Sequence, residues 1–473
     1  MNTFDPTVLK PAQLSVRALV SRLQCEELSA ESHINNCLAR ADKSSSVFVS
    51  IDDASREEAR TVDLNRRQGK SLPPLSGVPI TLKDLFDVKG QKTLAGSKVL
   101  KGFAEPAQQD ADVVGDLRNA GLLFLGRTNM SEFAFSGLGL NPHYGNCQSI
   151  WDRKAGRLPG GSSSGSAVSV AEGIVPATMG SDTAGSCRIP AAFNGIVGVK
   201  PSYGRLSLKG IFPLSESSDA PGPLGVDLDS CYLLDQAMTS PSMKESIGIS
   251  KLPSIHRCEP NEVRLLLPQS AVLSNLDTEV AAAFERSLEW LADAGFTLVR
   301  QEMPVIDQCV DMFGSRAVVL YEAWLLHRQW LESHGDQYDP FVEQRILKGS
   351  KLNAQLQQAR YDEKRQIITD FDAQFTDSGV DALIYPTVAC IPPAISETDD
   401  PHRIAGINLL CLRNTATVNY FDGCSISLPC HDNGSAPVGL MISGANGMDA
   451  RLYEISATIE SVLNEARKTA SSS

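Results

Sequence analysis

The sequence has no Cys-x-x-Cys pair among its eleven cysteines and no His-Glu-x-x-His among its seven histidines. These absences remove the common zinc spacings, and no metal is expected. The cysteine count is odd and the residues are scattered, which reads as free thiols in a reducing compartment. No segment approaches the about 18 uninterrupted apolar residues of a membrane span. The start, MNTFDPTVLKPAQ, lacks the basic-then-apolar order of a secretory signal. The expectation is therefore a soluble, cytoplasmic protein with no membrane partner. A basic excess is also missing: 43 Lys and Arg stand against 56 Asp and Glu, a net charge of −13. That balance argues against nucleic acid or an anionic surface as the main partner. Internal repeats, low-complexity blocks and long linkers are absent too, so residues 1–473 read as one domain.

What is present changes in texture along the chain. Residues 12–24 and 29–41 carry helical spacing; in the second, Ile34, Cys37 and Leu38 share a face and Ser29 is placed to cap. Residues 52–68 read as a charged surface helix. From 73 to 205, Gly, Ser and short apolar runs alternate: SGVPITLKD, AGLLFLGRTN, IVPATMGSD, GIVGVKPSYG. These predict short buried strands in an α/β sheet with helices on both faces. Residues 260–375 form a mainly helical insert after a strand at 263–268, with a helix over 276–295 stopped by Gly295 and a break at Gly349. Strands return at 381–386, 424–429 and 437–443, and a last helix covers 449–465.

Three segments stand out for chemistry: ITLKD with Lys83, PGGSSSGSAVSVAEG over 159–173, and MGSDTAGSCRIPAAFNGIVGVKPSYGR over 179–205. Taken singly, each has an ordinary explanation, since a lysine after a strand is usually solvated and a Gly/Ser loop before a helix is usually a capped turn. The loop is not a Walker loop, because it ends Gly165-Ser166-Ala167 instead of Gly-Lys-Ser/Thr. Gly160, Gly161 and Gly165 do not spell the dinucleotide fingerprint, and no lysine lies three residues after a serine. One hydrolase spelling does match: Gly161-Ser162-Ser163-Ser164-Gly165 fits a nucleophile elbow, which would make Ser163 the nucleophile, with His402 or His431 downstream.

GVPITLKD, GRTNMSEFA, NPHYGN, RLPGGSSSGSA, GSDTAGSCRIPA and GVKPSYGR follow one another in a single order, with DALIYPT, RNTATVN and PVGLMISG after them. In this the chain resembles the amidase signature family, the Ser-Ser-Lys amide hydrolases, over essentially its whole length and most densely at 78–205. The resemblance implies a mixed, twisted β-sheet between helical layers, with 73–205 as the catalytic core. It implies Lys83 as the catalytic lysine, Ser162 as the bridging serine after a cis Gly161–Ser162 peptide, and Ser186 as the nucleophile. Backbone N–H groups of the turn Thr183, Ala184, Gly185 would receive the oxyanion. Met130, Ser163 and the stretch from Phe133 to Gly139 would lie at the substrate. No cofactor is implied, the partner is a small-molecule amide, and a homodimer is compatible with the family.

These residue types suit the work. Serine is a poor nucleophile until a base takes its proton. Lysine can be that base only when neutral, which requires its pKa of about 10.4 to fall by burial or by neighbouring cations. Asp182 and Arg188 flank the nucleophile turn and read as a brace rather than as acid–base groups. Cys187 reads as a small buried residue. Two features depart from the family's usual spelling: Ala184-Gly185 stands in place of a double glycine, and GCSISLP lacks a proline after its glycine. The rival expectation is the amidase (glutaminase) component of a glutamine-dependent tRNA amidotransferase, faintly echoed by LKGSKLNAQLQQARYDEKRQ at 347–366.

Overall fold

The computed structural model describes residues 14–240, 243, 252–315 and 317–470. Local signals in the sequence reappear as elements. The Ser29 hydroxyl accepts the Ser32 N–H at 3.0 Å, and the helix Ala30–Ala41 follows with Ile34, Cys37 and Leu38 buried. The charged stretch forms the helix Ala54–Arg67. Its buried Asp63 accepts the N–H groups of Ala30 and Glu31 at 2.9 and 3.0 Å, so one helix caps the start of another.

Eleven strands form one mixed sheet. They are β1 (Phe48–Ile51), β2 (Pro79–Lys83), β3 (Leu123–Thr128), β4 (Ala177–Asp182), β5 (Val197–Lys200), β6 (Ala220–Gly225), β7 (Arg264–Pro268), β8 (Thr297–Gln301), β9 (Ala382–Pro386), β10 (Cys424–Pro429) and β11 (Gly439–Gly444). Their order is β1-β3-β2-β4-β6-β5-β10-β11-β9-β7-β8. The run β3-β2-β4 is parallel, as is β9-β7-β8, while the centre from β4 to β9 is antiparallel. Every residue of β2, β3, β4, β5 and β6 is buried, which explains why these segments read as small and apolar runs without alternation.

The pairing fixes where chain ends emerge. β2 and β4 run parallel with Ile80 opposite Ala177 and Leu82 opposite Met179, so Lys83 and Ser181 leave the sheet at one edge. β6 is antiparallel to both β4 and β5, so the end of β5, Lys200, lies at that edge too. Sites in such sheets sit beyond the carboxyl ends of strands.

The segment 317–378 is helical in three pieces, Ala317–His334, Pro340–Gly349 and Ala354–Ser378. The break at Gly349 is as expected, and a Cβ there would come within 2.1 Å of the Leu320 carbonyl oxygen. A second break, before Pro340, falls where Asp339 caps the new helix through the Phe341 N–H at 2.9 Å. Among the described residues no helix is long and apolar enough to cross a membrane.

Candidate active site

Lys83 closes β2 and is wholly buried. Its Nζ lies 2.6 Å from Ser162 Oγ and 2.8 Å from Ser181 Oγ. Burial pushes the amine down to about 8, against the opposing pull of the Asp219 and Asp182 carboxylates. A substantial neutral fraction is thus present near pH 8. Ser162 is also wholly buried and follows a cis Gly161–Ser162 peptide. Its loop is pinned on both sides: Gly161 N–H donates to the Gly137 carbonyl at 2.8 Å, and Ser131 N–H donates to the Ser162 carbonyl at 3.1 Å.

Ser186 sits in the turn between β4 and the short helix Arg188–Asn194. Asp182, the last residue of β4, grips this turn. One carboxylate oxygen accepts the Gly185 N–H at 2.7 Å and Arg188 Nη2 at 2.8 Å; the other accepts the Cys187 N–H at 3.1 Å and Arg188 Nε at 3.0 Å. Asn419 completes the brace, accepting from Arg188 at 2.7 Å and donating to Asp182 at 3.1 Å. Burial alone would raise the Asp182 carboxyl, but the charge and hydrogen bonds of Arg188 outweigh it and bring the carboxyl to about 2. Gly185 has φ +127°, and a Cβ there would meet Thr415 Oγ1 at 2.1 Å, so this position of the turn requires glycine. Ala184 occupies the place where the chain departs from a double glycine.

Ser186 opens onto a cavity of about 40 Å³. Thr183 and Ala184 line it beside Ser186, and the expected stretch 133–139 contributes Ala134 to Gly137. Leu412 and Tyr420 add apolar wall, and Arg345 enters from the helix Pro340–Gly349 with its guanidinium 4.5 Å from the centre of the Phe135 ring. Its position supplies the one cation among the described lining residues.

The structure brings Lys83 and Ser162 into contact and joins Ser186 to the same loop, the Ser163 N–H donating to the Ser186 carbonyl at 3.3 Å. It keeps two other expected residues off the cavity wall. Ser163 is buried, its hydroxyl donating to the Ser181 carbonyl at 3.3 Å. Met130 is buried in the core, its Cγ against Gly96. Gly185 N–H is engaged by Asp182 rather than turned to the cavity. Cys187 is buried, and burial pushes its thiol up, away from the reactive thiolate. Two neighbours escaped sequence reasoning. Ser181 touches the lysine, and the only available signal was its position on the strand paired with β2. Asp219 accepts from Thr183 Oγ1 at 2.5 Å, across 36 residues of chain.

Comparison with known proteins bears on the family and the fold. The family profile described as Amidase matches residues 31–453. A 2-amino-5-chloromuconic acid deaminase of Comamonas testosteroni is 32% identical, with 97% of this chain and 98% of that protein aligned. A glutamyl-tRNA(Gln) amidotransferase subunit of Symbiobacterium thermophilum is likewise 32% identical over 97% of this chain and 98% of its own. A crystal structure of an amidase superposes with a TM-score of 0.82 at 29% identity, covering 96% of this chain and all (100%) of that one.

Proposed function

Because the chain belongs to the amidase signature family and is an amide hydrolase of that family, we propose that it cleaves the C–N bond of a small-molecule amide through an acyl-enzyme on Ser186. Neutral Lys83 draws a proton from Ser162, which takes the proton of Ser186 as its Oγ attacks the carbonyl carbon. The developing oxyanion is met by N–H groups of Thr183, Ala184 and Ser186, while that of Gly185 holds the turn. The C–N bond breaks as the proton returns through Ser162 to the leaving nitrogen. Water, deprotonated by the same relay, then frees the acid. No cofactor takes part in these steps.

The observation that carries this reading is the buried 2.6 Å contact of Lys83 with Ser162, with the amine brought to about 8. The narrow cavity supports a small acyl group. A second reading, the amidase component of a tRNA-dependent amidotransferase, is favoured by the Symbiobacterium relative at 32% identity.

The purified chain alone is to be assayed on aliphatic, aromatic and urea-like amides and on glutamine. Ser186→Ala and Lys83→Ala are each expected to lose at least ~10³-fold in kcat. Hydrolysis that survives in Ser186→Ala defeats the acyl-enzyme. Turnover by the chain alone supports a stand-alone amidase, and turnover only on adding amidotransferase partners supports the second reading.

A further inference from the structure

Asp219 immediately precedes β6, whose Ala220 pairs with Asp182, so the sheet itself sets its carboxylate beside the turn that carries Ser186. The residue is 7% exposed and collects three neutral donors: Thr183 Oγ1 at 2.5 Å on one oxygen, and the N–H groups of Leu214 and Ser215 at 2.9 and 3.0 Å on the other. Thr183 and Leu214 both line the cavity at Ser186. Ser215 in turn donates its hydroxyl to Glu322 at 2.5 Å, on the helix Ala317–His334. The nucleophile turn is therefore held from two sides. Asp182 grips Gly185 and Cys187 and is neutralised by Arg188. Asp219 grips Thr183 through uncharged groups alone.

We propose that Asp219 is a positioning residue for the reaction: it locks Thr183 to the 214–215 wall so that the oxyanion turn and the substrate wall keep one geometry, and its unneutralised charge favours the Lys83 ammonium that forms as Ser186 is acylated. This rests on the acyl-enzyme reading above. Burial pushes the Asp219 carboxyl up to about 6, with the three hydrogen bonds opposing and Glu322 adding to the rise. Lys83 is faced by Asp219 and Asp182, whose negative charges hold its proton on, and by Cys187, whose thiol burial keeps protonated and neutral.

The test uses the full-length enzyme and the amide of the panel with the highest kcat/KM. Asp219→Asn and Thr183→Val are each expected to lower kcat by ~10-fold or more while KM stays within ~3-fold, because the groups act on the transition state. The double variant is expected to lie within ~2-fold of the worse single one, since both break one contact. The acid limb of the kcat/KM profile moves to lower pH in Asp219→Asn, because one anion holding the Lys83 proton is gone, and stays in place in Thr183→Val. Multiplying losses in the double variant, an unmoved limb in Asp219→Asn, or kcat at the wild-type level overturns the proposal. Should Asp219→Asn show no cooperative melting transition, Thr183→Val decides alone: a ~10-fold loss in kcat at constant KM supports the proposal and any smaller loss overturns it. Inactive Ser186→Ala beside fully active Asp219→Asn removes this inference alone; active Ser186→Ala removes the acyl-enzyme beneath it.

Discussion

Lys83 and Lys200 end two strands that run in the same direction, both are wholly buried, and burial brings both amines down to about 8. They differ in what meets Nζ. Lys83 faces the hydroxyls of Ser162 and Ser181, and a hydroxyl can hand its proton to a neutral amine. Lys200 faces the carbonyl oxygens of Pro201 at 2.9 Å and Gly423 at 2.6 Å, which have no proton to give. The first lysine has a substrate for base chemistry; the second is a clamp between the end of β5 and the residue before β10. A lowered amine pKa is shared by both, so it marks desolvation, and the partner atoms separate the lysine proposed as base from the tie.

The largest break in this comparison is expected in turnover. Lys83→Met should lose at least ~10³-fold in kcat, about 4 kcal/mol of barrier, whereas Lys200→Met should stay within ~10-fold. Equal losses would erase the distinction. In urea unfolding the ranking reverses. Lys200→Met strips a donor from two carbonyls and should cost about 2 kcal/mol or more, while Lys83→Met should cost less, because the Ser162 and Ser181 hydroxyls can turn to other partners. Ser181→Ala should lower kcat by ~10-fold, since one of the two hydroxyls that orient the amine is gone.

The smallest effect is a shift in pH. The Lys83 amine is charged and inert below its pKa, so kcat/KM should climb with pH and level off above about 8. The Ser181 hydroxyl accepts a hydrogen bond from the ammonium and so favours the charged form. Its removal should therefore move the midpoint to lower pH. A profile flat from pH 6 to 9 would deprive Lys83 of its role as base.

Lys83, Ser162 and Ser186 were legible as candidates because they sit in ordered motifs near strand ends, and the local signals, such as the Ser29 cap and the Gly349 break, depend on few residues each. The α/β character followed from short apolar runs in 73–205. What could not be read is what strand pairing decides. Ser181 is one serine among many until β2 and β4 are set side by side. Asp219 has no local pattern at all, and only the pairing of Ala220 with Asp182 delivers it to the turn. Met130 and Ser163, placed at the substrate by the family resemblance, are both buried, Met130 in the hydrophobic core and Ser163 with its hydroxyl on the Ser181 carbonyl. The break before Pro340 was hidden in a helical stretch, though Asp339-Pro340 spells a helix start.

The brace around Ser186 also sets a schedule. Arg188 and Asp182 close on Asn419, and Lys200 closes on Gly423, so each waits for a partner made more than 200 residues later. A ribosome-bound chain halted at residue 400 would display every motif that reacts yet lack the strand beside β5 and the amide that completes the brace. The brace at Ser186 would then close only after residues 419 and 423 have been made.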